Sequence, residues 1–141
     1  MSDPRCFLFA AFLDPALLDE AAPDACFERI AHLPAHRLGF AESGTAVVIH
    51  DEGHTVWGGV FSLSDEAMVA LTAAQPAGIE TVSAWAVDRE GDRFEVAVFS
   101  GADGGDPHEE QVNHMVRGAR HWELPAGWVV GLEDLIDPFE F

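Results

Sequence analysis

Seven histidines and 25 acidic residues give this 141-residue chain ample material for proton and metal chemistry. Spacing decides what they mean. His50 and His54 bracket Asp51, Glu52 and Gly53. Imidazoles and carboxylates are metal ligands, but Asp-Glu-Gly is also turn chemistry, and turn polarity explains these residues without a metal. His108, Glu109 and Glu110 stand before a periodic apolar stretch that carries His114 and His121. Acids at a helix start complement its dipole, so this group reads as helix-start acids with exposed histidines. Glu28/Arg29 and Arg117/Arg120 read as surface charges. Cys6 and Cys26 lack ligand spacing and sit among apolar residues, so both read as buried free thiols. The chain has no Gly-x-Gly-x-x-Gly, P-loop, Gly-x-Ser-x-Gly or His-Glu-x-x-His pattern. No metal and no cofactor are expected.

The charge narrows the partners. All seven basic residues are arginine, and the formal charge is -18. A surface this negative repels phosphate backbones and anionic lipid, so neither nucleic acid nor membrane is an expected partner. The apolar fraction of 48% argues against an acidic disordered chain. The apolar run Cys6 to Leu13 is too short to span a bilayer and lacks the flanks of a signal peptide. A cytoplasmic protein is the expectation, with a protein partner or homodimer as a further prospect.

These residues need elements to hold them. Cys6-Phe7-Leu8-Phe9-Ala10 reads as a strand buried on both faces. Asp14-Pro15 starts a short helix running to about Glu20. Phe27 to Leu33 reads as a strand that Pro34 interrupts and Arg37 to Phe40 resumes. Thr45 to His50 and Thr55 to Phe61 read as a hairpin turning at Asp51-Glu52-Gly53. Ser64 caps a helix that ends before Pro76 and Gly78. Glu80 to Asp88 and Arg93 to Phe99 form a second hairpin. Glu109 to Trp122 is the strongest helix, with Val112, Met115, Val116, Ala119 and Trp122 on one stripe. Trp128 to Ile136 is a last helix. The sum is an α+β fold with a mostly antiparallel, barrel-like sheet of about six strands and flanking helices. It forms a single domain over 1–141, its core at about 6–135, with loose ends at 1–4 and 137–141.

Five segments in order carry a further message. They are Phe7-Leu8-Phe9-Ala10-Ala11-Phe12-Leu13-Asp14-Pro15, Ala31-His32-Leu33-Pro34-Ala35-His36-Arg37-Leu38-Gly39-Phe40 and Val56-Trp57-Gly58-Gly59-Val60. Leu71-Thr72-Ala73-Ala74-Gln75-Pro76 follows, then Arg117-Gly118-Ala119-Arg120 with Leu124-Pro125 and Trp128. In this order the chain resembles the gamma-glutamylcyclotransferase-like (AIG2-like) family, whose fold the resemblance implies. Family enzymes release 5-oxoproline: the free amine of a gamma-glutamyl group attacks its own gamma-carbonyl. Ring closure is intramolecular, so the substrate supplies much of the proximity. A Tyr-Gly-Ser/Thr-Asn/Leu loop holds the glutamyl group, and a glutamate after the helix is the general base.

The departures fall on that machinery. The base position holds Gln75, and a neutral amide is no useful proton acceptor near neutral pH. The substrate loop reads Phe9-Ala10-Ala11-Phe12, continuing into Leu13: backbone donors survive, while hydroxyls and amide are gone. Ala10 replaces a glycine, so a φ above zero there would cost energy. The resemblance therefore implies a divergent member that has lost the base and binds a small ligand, gamma-glutamyl or an apolar amide, or a partner, in the old pocket. An active cyclotransferase or related acyl-transfer enzyme using Glu80 as relocated base is the alternative. Glu80 and Glu66 otherwise read as solvated acids. Gln75-Pro76-Ala77-Gly78-Ile79 is also similar to the accessory C-terminal domain of allophanate hydrolases, which implies a supporting role for an amidohydrolase.

Overall fold

Cys6, Phe7, Leu8 and Phe9 are buried one after another, with no alternation. A strand with that pattern must be covered on both faces, and the rest of the chain is arranged to cover it. The computed structural model describes residues 4–136. The ends read as loose lie outside those residues except for Pro4, whose carbonyl accepts the Leu63 N–H at 3.0 Å.

Five strands, β1 (Arg5–Leu8), β2 (Cys26–Phe40), β3 (Ala46–Ser62), β4 (Glu80–Asp88) and β5 (Arg93–Ser100), close into a barrel in the order β1-β3-β2-β4-β5. The ladders are antiparallel except where β5 meets β1 and β3 in parallel. Closure leaves little free edge to template other chains. Four helices flank it: α1 (Pro15–Ala21), α2 (Asp65–Ala73), α3 (Glu109–His121) and α4 (Ala126–Ile136). Among the described residues the buried apolar side chains other than Val47 form one cluster. No helix among the described residues is long and apolar enough to cross a membrane.

The strand count falls from six to five for a local reason. Asp51-Glu52-Gly53 does not turn the chain back. β2 and β3 pair with each other along their length, and the hairpin turn is at residues 41–45, where Gly44 takes φ 84° and Ala41 exchanges backbone bonds with Gly44 and Thr45. The register steps from Pro34↔Thr55 to His36↔His50, so residues 51–54 bulge out opposite Ala35 alone. Inside that bulge Asp51 accepts the Gly53 N–H and pairs with His54. The turn chemistry is real, but pairing with β2 turns it into a bulge. Pro34 likewise does not break β2; the irregularity is taken by Ala35, at φ 61°.

The helices follow their local signals. The Ser64 hydroxyl accepts the Ala67 N–H at the start of α2. α3 has Glu109 and Glu110 in its first turn, Arg120 and His121 in its last, and buries Val112, Met115, Val116 and Ala119. It ends in a Schellman arrangement: Leu124 N–H bonds Ala119 O and Glu123 N–H bonds Arg120 O, with Glu123 at φ 60°.

One stripe of α3 also sets the position of the loop after β1. Gly118 lies against the Leu13–Asp14 backbone, the Trp122 indole N–H donates to Leu13 O at 2.9 Å, and His114 and Arg117 reach Asp14. Residues 114, 118 and 122 are successive i, i+4 positions, so a single helix face does this. Cys6 is buried, but Cys26 is exposed, contrary to the reading from its apolar neighbours; both are free thiols.

Candidate functional site

The end of β1 opens into a cavity of about 200 Å³. Phe7, Leu8 and Phe9 line it and continue into Ala10, which caps a 3-10 turn (Ala11–Leu13), and into Ala11 and Phe12 of that turn. Thr45 comes from the β2–β3 turn, Ala46 from the start of β3, Phe99 from β5, and Gln111 from α3. Ala74, Gln75 and Pro76 close it from the end of α2. The volume lies below the usual range for drug-sized ligands, so the space suits a small one.

Four of the loop residues singled out from the sequence, Phe9, Ala10, Ala11 and Phe12, thus share a wall with Gln75. Leu13 does not: it is fully buried, and its carbonyl is taken by Trp122. Glu80 is exposed at the start of β4, paired with Ser100, and is not on the cavity wall; Glu66 is exposed in the first turn of α2. Ala10 sits at φ -98°, so the loop needs no left-handed residue there.

No lining residue carries a carboxylate, imidazole, amine or thiol. The Gln75 side chain donates through Nε2 to Leu71 O at 3.2 Å. A carbonyl only accepts, so this bond fixes which end of the amide is nitrogen and leaves Oε1 free. A carboxylate in the same pose would set oxygen against oxygen. Gln111 Oε1 is buried and has no partner among the described residues. A buried amide oxygen without a donor costs free energy, about 1–3 kcal/mol. Leu13 and Asp14 N–H groups close the 3-10 turn onto Ala10 O and Ala11 O. The N–H groups that open such a turn are left without an internal partner.

Behind this wall stands a residue that sequence reading placed only as a helix cap. Asp14 is 1% exposed. It accepts from Ala16 N–H at 3.1 Å, His114 Nδ1 at 2.7 Å and Arg117 Nη1 at 3.0 Å. Burial pushes its carboxyl up, but the hydrogen bonds from His114, Ala16 and Arg117 and the Arg117 charge outweigh burial and hold it below the ordinary carboxylate value. His114, read as exposed, is therefore half-buried on a buried acid. Asp88 is built in the same way at the β4–β5 turn. Burial opposes its ionisation, while Arg29, at 2.8 Å, and the Asp92 and Glu90 N–H groups lower its carboxyl.

No family model and no curated protein matches the chain by sequence. Solved structures match it over nearly its whole length. A gamma-glutamyl cyclotransferase superposes with a TM-score of 0.87 at 18% identity, over 99% of this chain and 90% of that one. The fold is that of the gamma-glutamyl cyclotransferases. An uncharacterized protein from Homo sapiens gives the same TM-score, 0.87, at 18% identity, over 100% and 92% of the two chains. An AIG2-like protein from Mus musculus aligns less fully, at TM-score 0.62 and 15% identity over 74% of this chain and 81% of that one. The five segments read from the sequence thus lie in a gamma-glutamyl cyclotransferase-like fold, and the loop after β1 meets residue 75 across one cavity.

Proposed function

We propose that the chain is a divergent gamma-glutamylcyclotransferase-family protein that holds a small amide-bearing ligand in this cavity and does not close a 5-oxoproline ring through residue 75. The observation that carries the reading is the make-up of the walls. They hold no group able to take a proton from an ammonium near neutral pH, and the Gln75 amide is engaged with Leu71 O. What remains is a small apolar space with amide side chains on Gln75 and Gln111 and a hydroxyl on Thr45. Those groups suit the N–H and C=O of an amide, whether a gamma-glutamyl compound or an apolar one. Glu80, off the cavity wall, gives no support to a relocated carboxylate base. A cytoplasmic setting fits two free thiols and a lysine-free acidic surface. A partner chain or a second copy would sit outside the cavity.

The test is ligand-dependent stability. A panel of small gamma-glutamyl and apolar amides should include members that raise the melting temperature in a concentration-dependent way, with no 5-oxoproline formed. Replacing Gln111 by Leu should remove most of that stabilisation. Release of 5-oxoproline by the wild-type protein would overturn the reading.

A further inference from the structure

The cavity holds no base, but the groove beside it does. That groove, about 280 Å³, is lined by Ala11, Leu17, Ser43, His108, Glu110, Gln111 and His114, and it shares Ala11 and Gln111 with the cavity. Gln111 and His114 are three residues apart on α3 and so lie on one helix face. His114 Nδ1 is 2.7 Å from Asp14 Oδ2. Asp14 is buried and also bonded to Arg117, so it is an ionised acceptor and Nδ1 of His114 carries the hydrogen. In the neutral ring Nε2 is then the bare lone pair. It has no protein partner among the described residues and is not among their buried unpartnered atoms, so it is solvent-accessible on a residue that lines the groove. A buried carboxylate holding one ring nitrogen while the other is solvent-accessible is the arrangement of an oriented general base.

We propose that this groove is a hydrolytic site for small apolar carboxylic esters, with His114 as general base, Asp14 as its positioning residue and Gln111 as the donor to the oxyanion. The proposal rests on the cavity reading only for where the acyl group lies. The acyl chain enters the apolar cavity and its carbonyl stands at the wall that Gln111 shares. His114 Nε2 takes a proton from a water in the groove. The water oxygen forms the new C–O bond, and the carbonyl π pair moves onto oxygen, where the Gln111 Nε2 amide donates to it. Collapse reforms the carbonyl and breaks the bond to the alkoxy oxygen. The imidazolium returns its proton to that oxygen, giving acid and alcohol. Besides Asp14, the charged or titratable groups around His114 are Arg117 on α3 and His108 and Glu110 on the groove wall.

Chromogenic acetate, butyrate and hexanoate esters test this on the intact protein. His114→Asn keeps an amide donor for Asp14 and removes Nε2. Its kcat should fall roughly 10²–10⁴-fold with KM little changed. His114→Ala should be similarly slow and regain activity on addition of imidazole, a rescue that a purely structural role would not show. His54→Asn, at a residue exposed in the β3 bulge and absent from the groove wall, should hydrolyse at the wild-type rate and so excludes surface imidazoles as the source. Absence of hydrolysis, an equal loss in His54→Asn, or no imidazole rescue of His114→Ala would each overturn the proposal. Stabilisation by an amide without ester turnover would overturn it while leaving the cavity reading intact.

Discussion

Gly118 packs its bare backbone on Leu13: a Cβ at 118 would lie 2.4 Å from the Leu13 carbonyl carbon and 2.5 Å from its oxygen. This contact lets α3 approach the loop after β1 closely enough for His114 and Arg117 to reach Asp14 and for Trp122 to reach Leu13 O. In an open helix Gly118→Ala would gain about 1 kcal/mol from propensity. Here the obstacle is backbone, which cannot rotate aside, and overpacking of that kind costs about 1–3 kcal/mol. A fixed carbonyl puts the cost at the upper end of that range, so Gly118→Ala should lower stability in urea by about 2 kcal/mol net. A variant as stable as the wild type would show that α3 does not dock this closely.

Asp14 makes stability depend on acid pH. Its carboxyl is lowered in the folded state relative to about 3.9 in an unfolded chain. Its contribution is then present above the unfolded value and is lost as pH falls through the folded one. Asp14→Asn keeps the helix cap and removes the charge that His114 and Arg117 bond. It should cost about 1–3 kcal/mol at pH 7. The gap between variant and wild type should shrink as pH drops below about 4. A gap that held constant down to pH 3 would mean the carboxylate charge is not what matters.

Glu123 holds a position that favours glycine. It sits at φ 60° in the Schellman turn that ends α3, with both of the turn's backbone bonds made. A left-handed non-glycine residue costs about 1–2 kcal/mol. Glu123→Gly should raise stability by about 1 kcal/mol, read as a higher urea midpoint with an unchanged slope. A lower midpoint would place the Glu123 side chain in an interaction that outweighs the backbone strain.

The two cysteines should separate by reactivity. Burial pushes the Cys6 thiol up to about 12, while Cys26 is exposed. A thiol reagent should titrate one group in the native protein and two in denaturant. Equal rates for both without denaturant would contradict the burial of Cys6.

What the sequence made legible was mostly local. Ser64 as a cap, the acids and apolar stripe of α3, the β4–β5 hairpin and the unbroken apolar run of β1 all rest on interactions within a few residues. Gln75 and the Phe9–Phe12 loop came from a family pattern, and the fold brings them to one cavity. The misreadings have a common cause. Asp51-Glu52-Gly53 has turn chemistry, but long-range pairing of β2 with β3 holds it as a bulge. Cys26 has apolar neighbours in sequence and an exposed place in the strand. His114 and Asp14 are 100 residues apart, and no spacing rule joins them. The available signal was Gly118, four residues after His114: a glycine inside a strong amphipathic helix marks a close backbone approach, and the residue one turn away is next to whatever approaches.

The cavity between residues 9–12 and Gln75 should bind an amide without supplying a base. Calorimetric titration with a small gamma-glutamyl amide and small apolar amides, with 5-oxoproline assayed in the same samples, checks both halves at once. Saturable binding of at least one amide and no 5-oxoproline are expected. Accumulation of 5-oxoproline, or no binding by any amide of the set, would contradict that expectation.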